Sequence, residues 1–359
     1  MTRTYDIRML ALTFSAGITV GLLLLRLAGS PDGHTIIASA ASAGALSMLT
    51  LTSLFKWRTT ASISLLFILT GIFCAASHVL AGLGSTASVH PVAESLRSMI
   101  LDIPFRSPDT SALISALTTG DKSGLGRELT ATFRDSGASH ILALSGLHLG
   151  IIYVILLKLT VILGSTPTAK TARSLMIVSL TGYYTYTTGA PPSLVRAFLF
   201  ILLNESARLL HRKVSPSGIY CAALTIQLAV TPEVLSSAGF QLSYLAMAGI
   251  FFIYPKMRAW YPEGGGWLTR LTGKLWNISA LTISCQLMTG PLAYALFGTF
   301  PKYFLLTNLL ALPVTNILMM LAVATIALSA VGICPDFLIL ITDGVASALI
   351  YIMKVISSM

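Results

Sequence analysis

A short stretch near the middle of the chain concentrates polar side chains inside an otherwise apolar segment. It reads SGASHILALSGLHLG and contains His140, Ser145 and His148. Histidine can accept or release a proton near neutral pH. Because polar groups are costly in hydrocarbon, they generally face a bundle interior or a wet cavity. We therefore expect this stretch to continue as a membrane helix on which both histidines line one wall of a cavity.

A hydrolase is one alternative function, because Ser145 and His148 lie three residues apart and would share one face of a helix. A nucleophilic serine needs in addition an orienting carboxylate and an oxyanion hole, and the stretch contains no carboxylate. Gly146 and Gly150 have the spacing of small residues at close helix contacts, which offers a packing explanation. We predict no catalytic residue, and an intramembrane hydrolase is the least favoured function.

Arg196 is the most informative charge in the chain, because it follows a pair of prolines near the start of an apolar run. A guanidinium in that position must snorkel to the interface, pair with a carboxylate or face water. On one helix Glu205 lies about 13.5 Å away along the axis, which is too far for direct pairing. The simpler partner of Glu205 is Arg208, three residues further on.

Two further apolar runs are interrupted by amides and a hydroxyl. Gln241 and Ser243 lie in SSAGFQLSYLAMAG, and Asn308 precedes Pro313 in TNLLALPVTN. A single amide in a membrane helix often only bonds a neighbouring helix, but together these residues indicate a polar path through a bundle. Pro313 removes a backbone donor, so a half-helix followed by a full helix is expected over 304–331.

The composition places these residues in a membrane protein. Of the 359 residues, 55% are hydrophobic and 10% are charged, against roughly a quarter charged in soluble domains. Apolar runs approach the ~20 residues needed to cross hydrocarbon about eleven times. We predict an all-α, polytopic transmembrane helical bundle of about 10–11 spans, some broken, with short amphipathic interfacial helices. The four cysteines lie singly, without metal-binding spacing, so no metal or cofactor is expected.

We expect three segments: N-terminal transmembrane helices at 1–83, an external amphipathic segment at 84–140, and a transmembrane channel domain at 141–356. With the N-terminus in the cytoplasm, most basic loop residues fall on the cytoplasmic side, as in most membrane proteins. This asymmetry explains the net charge of +10 without a polyanionic ligand. The charge-balanced segment 84–140 has helical apolar spacing, which predicts two or three short helices at the outer membrane surface.

Taken in order, the polar stretches resemble the competence domain of the ComEC family, bacterial inner-membrane proteins thought to pass single-stranded DNA into the cytoplasm during transformation. The matching segments are TTGDKSGLGRELTATFRDSGASHILALSGLHLG, TGAPPSLVRA, SSAGFQLSYLA and PLAYALFGTFPKYFLLTNLLALPV. The resemblance implies a DNA-conducting channel. The motif positions that it carries over comprise the path residues His140, Ser145, His148, Arg196, Gln241, Ser243 and Asn308, and the structural residues Gly146, Leu147, Gly239, Phe240 and Pro313.

The chain also departs from the longer ComEC members, which carry an external OB-like domain and a metallo-β-lactamase-like domain suspected of nuclease activity. It has no HxHxDH-type motif, and the segment 84–140 is too short for a full OB barrel. The resemblance therefore implies the competence domain alone, without enzymatic activity. The implied partners are single-stranded DNA, membrane lipid, a separate nuclease, an OB-like protein and cytoplasmic helicase or DNA-processing proteins. Secondary transport of a small solute remains the main alternative, given the intramembrane charge and broken helices.

Overall fold

The computed structural model describes residues 6–29, 31–54, 60–80, 91–261, 266–298 and 302–359. These residues form helices and connecting turns, and no strand occurs among them. The helices are α1 (Ile7–Ala28), α2 (Pro31–Leu54), α3 (Thr60–Leu80), α4 (Pro91–Asp102), α5 (Pro108–Thr119), α6 (Arg127–Asp135), α7 (Gly146–Leu159), α8 (Pro167–Thr187), α9 (Pro192–Leu209), α10 (Pro216–Val230), α11 (Ala238–Ala248), α12 (Tyr254–Arg258), α13 (Trp267–Phe297), α14 (Phe304–Ala330) and α15 (Asp336–Ser357). The prediction of an all-α protein is confirmed.

Six stretches in the described ranges are long and apolar enough to cross a membrane. They are Ile7–Ala28, Gly146–Leu163, Ala238–Arg258, Thr272–Phe297, Phe304–Ala330 and Asp336–Ser357. Fewer helices meet this criterion than the sequence predicted, partly because α8 and α9 carry more polar residues within a similar length. The polytopic helical bundle is nevertheless confirmed, and the chain is a membrane protein.

Local sequence explains where several helices begin. Three of them, α5, α8 and α10, start at a Ser-Pro or Thr-Pro pair. The hydroxyl accepts a hydrogen bond from a backbone N–H of the first turn, and the proline occupies a position whose own N–H would have no helical partner. These pairs fix the residues at which α5, α8 and α10 begin.

The structure divides into two compact units: Met1–Ala87 with Leu202–Gln241, and Ser88–Ile201 with Leu242–Met359. The three segments predicted from the sequence follow different limits and stay a prediction. In the first unit, α1 and α3 pack with their backbones in close contact. A Cβ atom on Gly17 would lie 2.1 Å from the carbonyl oxygen of Ile68, and one on Gly71 would lie 2.5 Å from that of Phe14. Only glycine allows this approach, as at other small-residue contacts between membrane helices.

The second unit has a core in which α5 and α6 pack against α14 and α15. Leu113, Leu117, Phe133, Leu318 and Leu349 are fully buried there. Nine of the twelve residues of α5 are buried, so this helix is more enclosed than one lying on a membrane surface. Three short helices do form between residues 91 and 135, as the apolar spacing predicted.

The turn after α5 is tied to α4 by an ion pair. The Nε atom of Arg97 lies 2.9 Å from Oδ2 of Asp121, and Ser123 donates to the same carboxylate through its backbone N–H and its hydroxyl. Burial alone would raise the pKa of Asp121, but these hydrogen bonds and the Arg97 charge lower it overall. The carboxylate is therefore stabilised in its charged form.

Pro313 does not break its helix, contrary to the sequence-based expectation of a half-helix. The α14 helix is continuous from Phe304 to Ala330, with Pro313 inside it. Membrane helices tolerate such a proline when neighbouring groups compensate for the missing donor. Asn308 and the polar residues that follow it therefore lie on one continuous helix.

Candidate functional site

The α7 helix begins at Gly146, and Ser145 and His148 form its N-terminal cap. Ser145 Oγ accepts a hydrogen bond from the backbone N–H of Leu147, and His148 Nδ1 accepts one from the backbone N–H of Ser145 at 3.3 Å. The two side chains thereby satisfy donors that a helix start leaves free. Since Nδ1 is the acceptor, a neutral His148 ring carries its proton on Nε2.

This geometry corrects the expectation that residues 139–148 form one continuous helix. Residues 137–145 are not helical, because Gly137 adopts a positive φ of 79° and Ser145 has the extended conformation of a cap. The side chains of Ser145 and His148 each hydrogen-bond to the backbone in this cap. In a nucleophilic pair, the serine hydroxyl would instead hydrogen-bond to the histidine ring. The cap gives a structural reason for a serine and a histidine at these two positions.

His140 lies in the turn before α7, close to Asn308 of α14. His140 as a whole residue is accessible to water, but protein atoms surround its imidazole ring. The resulting desolvation lowers the pKa of His140. The Gly137 backbone and the Asn308 side chain offset this only in part. The His148 ring is near enough to interact electrostatically with His140.

Four polar atoms at the α7 cap or on α14 are buried without a hydrogen-bond partner among the described residues. They are Nε2 of His148, Oδ1 of Asn308, Oγ1 of Thr315 and Oδ1 of Asn316. His148 is 1% exposed and Thr315 is fully buried. Asn308 and Thr315 are seven residues apart, so they lie within about 20° of one another around the helix and about 10 Å apart along it. Asn316 lies about 100° from Thr315 around the helix, so the unpartnered atoms of α14 are not confined to one face.

Arg196 is held by α11 and does not project freely into space. It is 8% exposed, its Nη1 donates to the backbone carbonyl of Ser243, and its guanidinium carbon lies 5.8 Å from the centre of the Tyr244 ring. Such a charged hydrogen bond and cation–π contact both stabilise a buried guanidinium. Arg196 thus joins α9 to α11, and Ser243 contributes its backbone to this contact.

The start of α9 also packs against the start of α7. Ser193 Oγ donates to the carbonyl of Leu144 at 2.7 Å. A Cβ atom on Gly146 would lie 3.1 Å from Arg196 Nη2 and 3.2 Å from Ala197 Cβ. Gly146 therefore leaves room for Arg196, which is the packing role that its small size suggested. Leu147, the next residue, is 41% exposed.

Three further predicted residues lie at the end of the first unit. Gln241, Gly239 and Phe240 belong to the first unit, where the Gln241 Nε2 donates to the carbonyl of Leu235 at 2.7 Å. Phe240 is buried, and Gly239 has no close neighbour that would require a glycine. The ion pair predicted between Glu205 and Arg208 is confirmed, with 2.9 Å between Oε1 and Nη1.

Asp343 is a buried polar residue that the sequence analysis did not identify. It is 7% exposed, and its Oδ1 accepts a hydrogen bond from the Thr110 hydroxyl at 2.6 Å. A carboxylate in an apolar span is rare and usually functional. Asp343 is a single carboxylate within the apolar stretch of α15, and this sequence feature could have identified it.

No group of three or more metal-binding side chains occurs in the described ranges. The polar residues of the second unit instead fall into two sets. Arg196, Ser193 and Gly146 make contacts between helices. His140 instead interacts with both His148 and Asn308, and these two residues each have a buried polar atom without a hydrogen-bond partner in the described ranges. The second set is the candidate site.

Comparison with known proteins places this arrangement in a family. A sequence profile described as "Competence protein" matches residues 117–359. The chain belongs to the competence protein family. All twelve positions carried over from the ComEC resemblance fall inside the part that matches the competence profile.

Two curated relatives of this competence protein show the same similarity over parts of their length. It is 32% identical over 137 residues to "ComE operon protein 3" of Bacillus subtilis (strain 168), covering 38% of this chain and 17% of the relative. It is 23% identical over 212 residues to "Uncharacterized protein YcaI" of Escherichia coli (strain K12), covering 57% of this chain and 27% of the relative. The alignments thus span less than a third of either relative, and no solved structure matches the chain.

Proposed function

We propose that this chain forms a membrane conduit through which single-stranded DNA enters the cytoplasm during transformation. Membership of the competence family and the similarity to "ComE operon protein 3" support a role in DNA uptake. The observation that supports the conduit itself is a set of buried polar atoms without a hydrogen-bond partner among the described residues, on His148, Asn308, Thr315 and Asn316.

A DNA strand carries one negative charge per phosphate and cannot cross bare hydrocarbon. A passage for it needs water, hydrogen-bonding groups and modest positive charge along its wall. The His148 ring presents an N–H donor, and the Asn308 amide offers both a donor and an acceptor. Such groups suit phosphates and base edges alike, without selecting a sequence.

We further propose that the chain acts as a conduit without catalysis, since Ser145 and His148 serve as a helix cap. Any nuclease, OB-like single-strand binder or cytoplasmic helicase would then be a separate partner. The basic inner loops predicted by the sequence would receive the strand on the cytoplasmic side of the inner membrane.

Cysteine accessibility tests the conduit directly. In a variant with the four native cysteines replaced by serine, Asn308→Cys should react with a membrane-impermeant thiol reagent, and added single-stranded oligonucleotide should slow that reaction. Leu310→Cys is the matched control, because Leu310 lies on the same helix about 200° away and is 43% exposed on its outer surface. This control should stay unlabelled in the bilayer.

The biological readout is transformation frequency at matched protein level. Labelling of Asn308→Cys should reduce transformation, whereas reagent should not affect cells that carry Leu310→Cys. An unreactive Asn308→Cys in a fully transformable strain would contradict an aqueous conduit at this position. Uptake of a small solute that competes with the reagent would instead support the transporter alternative.

A further inference from the structure

The first unit contains a cavity that the proposed conduit does not use. It has a volume of about 520 Å³ and is open on one side. It lies where α1 and α3 end, near the start of α2 and the turn after α10. Its lining consists of Leu22, Leu25, Arg26, Gly29, His34, Val79, Glu233 and Ser236.

The apolar part of this lining is a stable wall. Leu25 is buried in a small core, and Leu22 and Val79 pack against that core. His34 fixes the connection between α1 and α2, since its Nε2 lies 3.1 Å from the carbonyl oxygen of Leu25. An alkyl chain placed along this wall would remain in an apolar environment.

The polar part of the lining carries opposite charges. Arg26 lies in the last turn of α1, and the structure records no hydrogen bond or ion pair of its side chain with any other described residue. Glu233 is exposed, and its Oε1 lies 3.7 Å from His78 Nδ1. Arg26 and Glu233 thus offer a cation and a carboxylate at one opening without forming an ion pair with each other.

The depth of the cavity in the membrane also restricts which class of molecule can occupy it. Ile7–Ala28 is a candidate span, so Arg26 lies at the boundary between hydrocarbon and water, where phospholipid headgroups are found. From the wall, the two charges and this level we infer that the cavity binds a zwitterionic aminophospholipid. Arg26 binds its phosphate, Glu233 binds its ammonium group, and one acyl chain lies against Leu22, Leu25 and Val79.

This site is independent of the conduit and of the proposed function. An anionic lipid such as phosphatidylglycerol would satisfy Arg26 but would leave Glu233 facing a headgroup without a cation. Phosphatidylethanolamine satisfies both, so it should be retained in preference. The difference expected from one exposed charge contact is about twofold to fivefold in affinity.

Native mass spectrometry of the full chain tests the assignment. Protein released from nanodiscs containing equal amounts of phosphatidylethanolamine and phosphatidylglycerol should retain the first lipid preferentially. Arg26→Gln should reduce retention of both lipids, whereas Glu233→Gln should abolish only the preference. Arg106→Gln and Glu94→Gln are matched controls, because both residues are exposed and neither lines the cavity.

Arg26→Lys is the control for a folding defect, because lysine keeps the positive charge. This variant should keep most of the lipid retention. Equal retention of the two lipids by the unmodified chain would overturn the inference. So would retention by Arg26→Gln at the level of the Arg106→Gln control, which would indicate ordinary boundary lipid. Transformation need not change in any of these variants, so failure here is distinguishable from failure of the conduit proposal.

Discussion

Replacing Arg196 should destabilise the second unit, because this residue joins α9 to α11. Arg196→Met keeps much of the side chain length but removes the charged hydrogen bond to the Ser243 carbonyl and the contact with the Tyr244 ring. A hydrogen bond from a charged group contributes about 1.5–3 kcal/mol, and a desolvated cation–π contact contributes about 1–2 kcal/mol. We expect the free energy of unfolding to fall by about 2–4 kcal/mol, since the two terms share one side chain and are not additive.

The assay is denaturant unfolding in mixed micelles, combined with a double-mutant cycle between Arg196→Met and Tyr244→Leu. The coupling energy should be about 0.5–2 kcal/mol. Arg196→Lys provides the functional comparison, because lysine keeps the charge but lacks the planar guanidinium. If the role of Arg196 is to join the helices, Arg196→Lys should lose both stability and transformation.

Three results would count against this reasoning. A coupling energy near zero would mean that the Tyr244 contact contributes nothing. A stable Arg196→Lys variant with full transformation would mean that positive charge alone is required, which is the behaviour of a residue that attracts phosphates. Normal transformation in Arg196→Met at matched protein level would remove Arg196 from both roles.

Three further predictions address other parts of the structure. His148→Gln should keep the α7 cap, since glutamine serves in capping boxes. His148→Leu should lower the free energy of unfolding by about 1 kcal/mol. Equal stability of the two variants would show that the cap does not contribute to stability. Gly71→Ala should destabilise the first unit by about 1–3 kcal/mol through overpacking, whereas Gly344→Ala, with open space around it, should be tolerated in the same thermal unfolding assay. Because the pKa of Asp121 is lowered in the folded state, its contribution is present above the unfolded value of about 4 and is lost as pH falls through the folded value. Asp121→Asn should therefore flatten the stability profile in acid, and an unchanged profile would contradict the ion pair with Arg97.

The sequence predicted the class of fold well because that prediction depends on composition and hydrophobic length. Low charge and long apolar runs require helices in a membrane, and local pairs such as Glu205 with Arg208 follow from helical spacing alone. The start of α7 was missed for a physical reason. An apolar run continues through Ile141 to Leu144, but Ser145 competes for the backbone as a cap and ends that run as a helix.

Long-range contacts could not be predicted in the same way. The partners of Arg196 are a backbone carbonyl and a ring that lie 47 and 48 positions later in the chain, and the partner of Asp343 is a hydroxyl 233 positions earlier. Hydrophobic periodicity does not encode such pairings, since it only tells which face of a helix is buried. The continuity of α14 at Pro313 likewise depends on its surroundings and not on proline itself.

The central question from the sequence was whether intramembrane polar residues enclose an aqueous passage or hold the helices together. We propose that the two roles belong to different residues. Arg196 has bonding partners on a neighbouring helix, whereas His148, Thr315 and Asn316 each keep a buried atom without a hydrogen-bond partner among the described residues. Such an atom costs about 1–3 kcal/mol when nothing satisfies it, a cost that serves no purpose in helix packing. Water or a passing strand would remove that cost, so we assign the conduit to the unpartnered set and the joining of helices to Arg196.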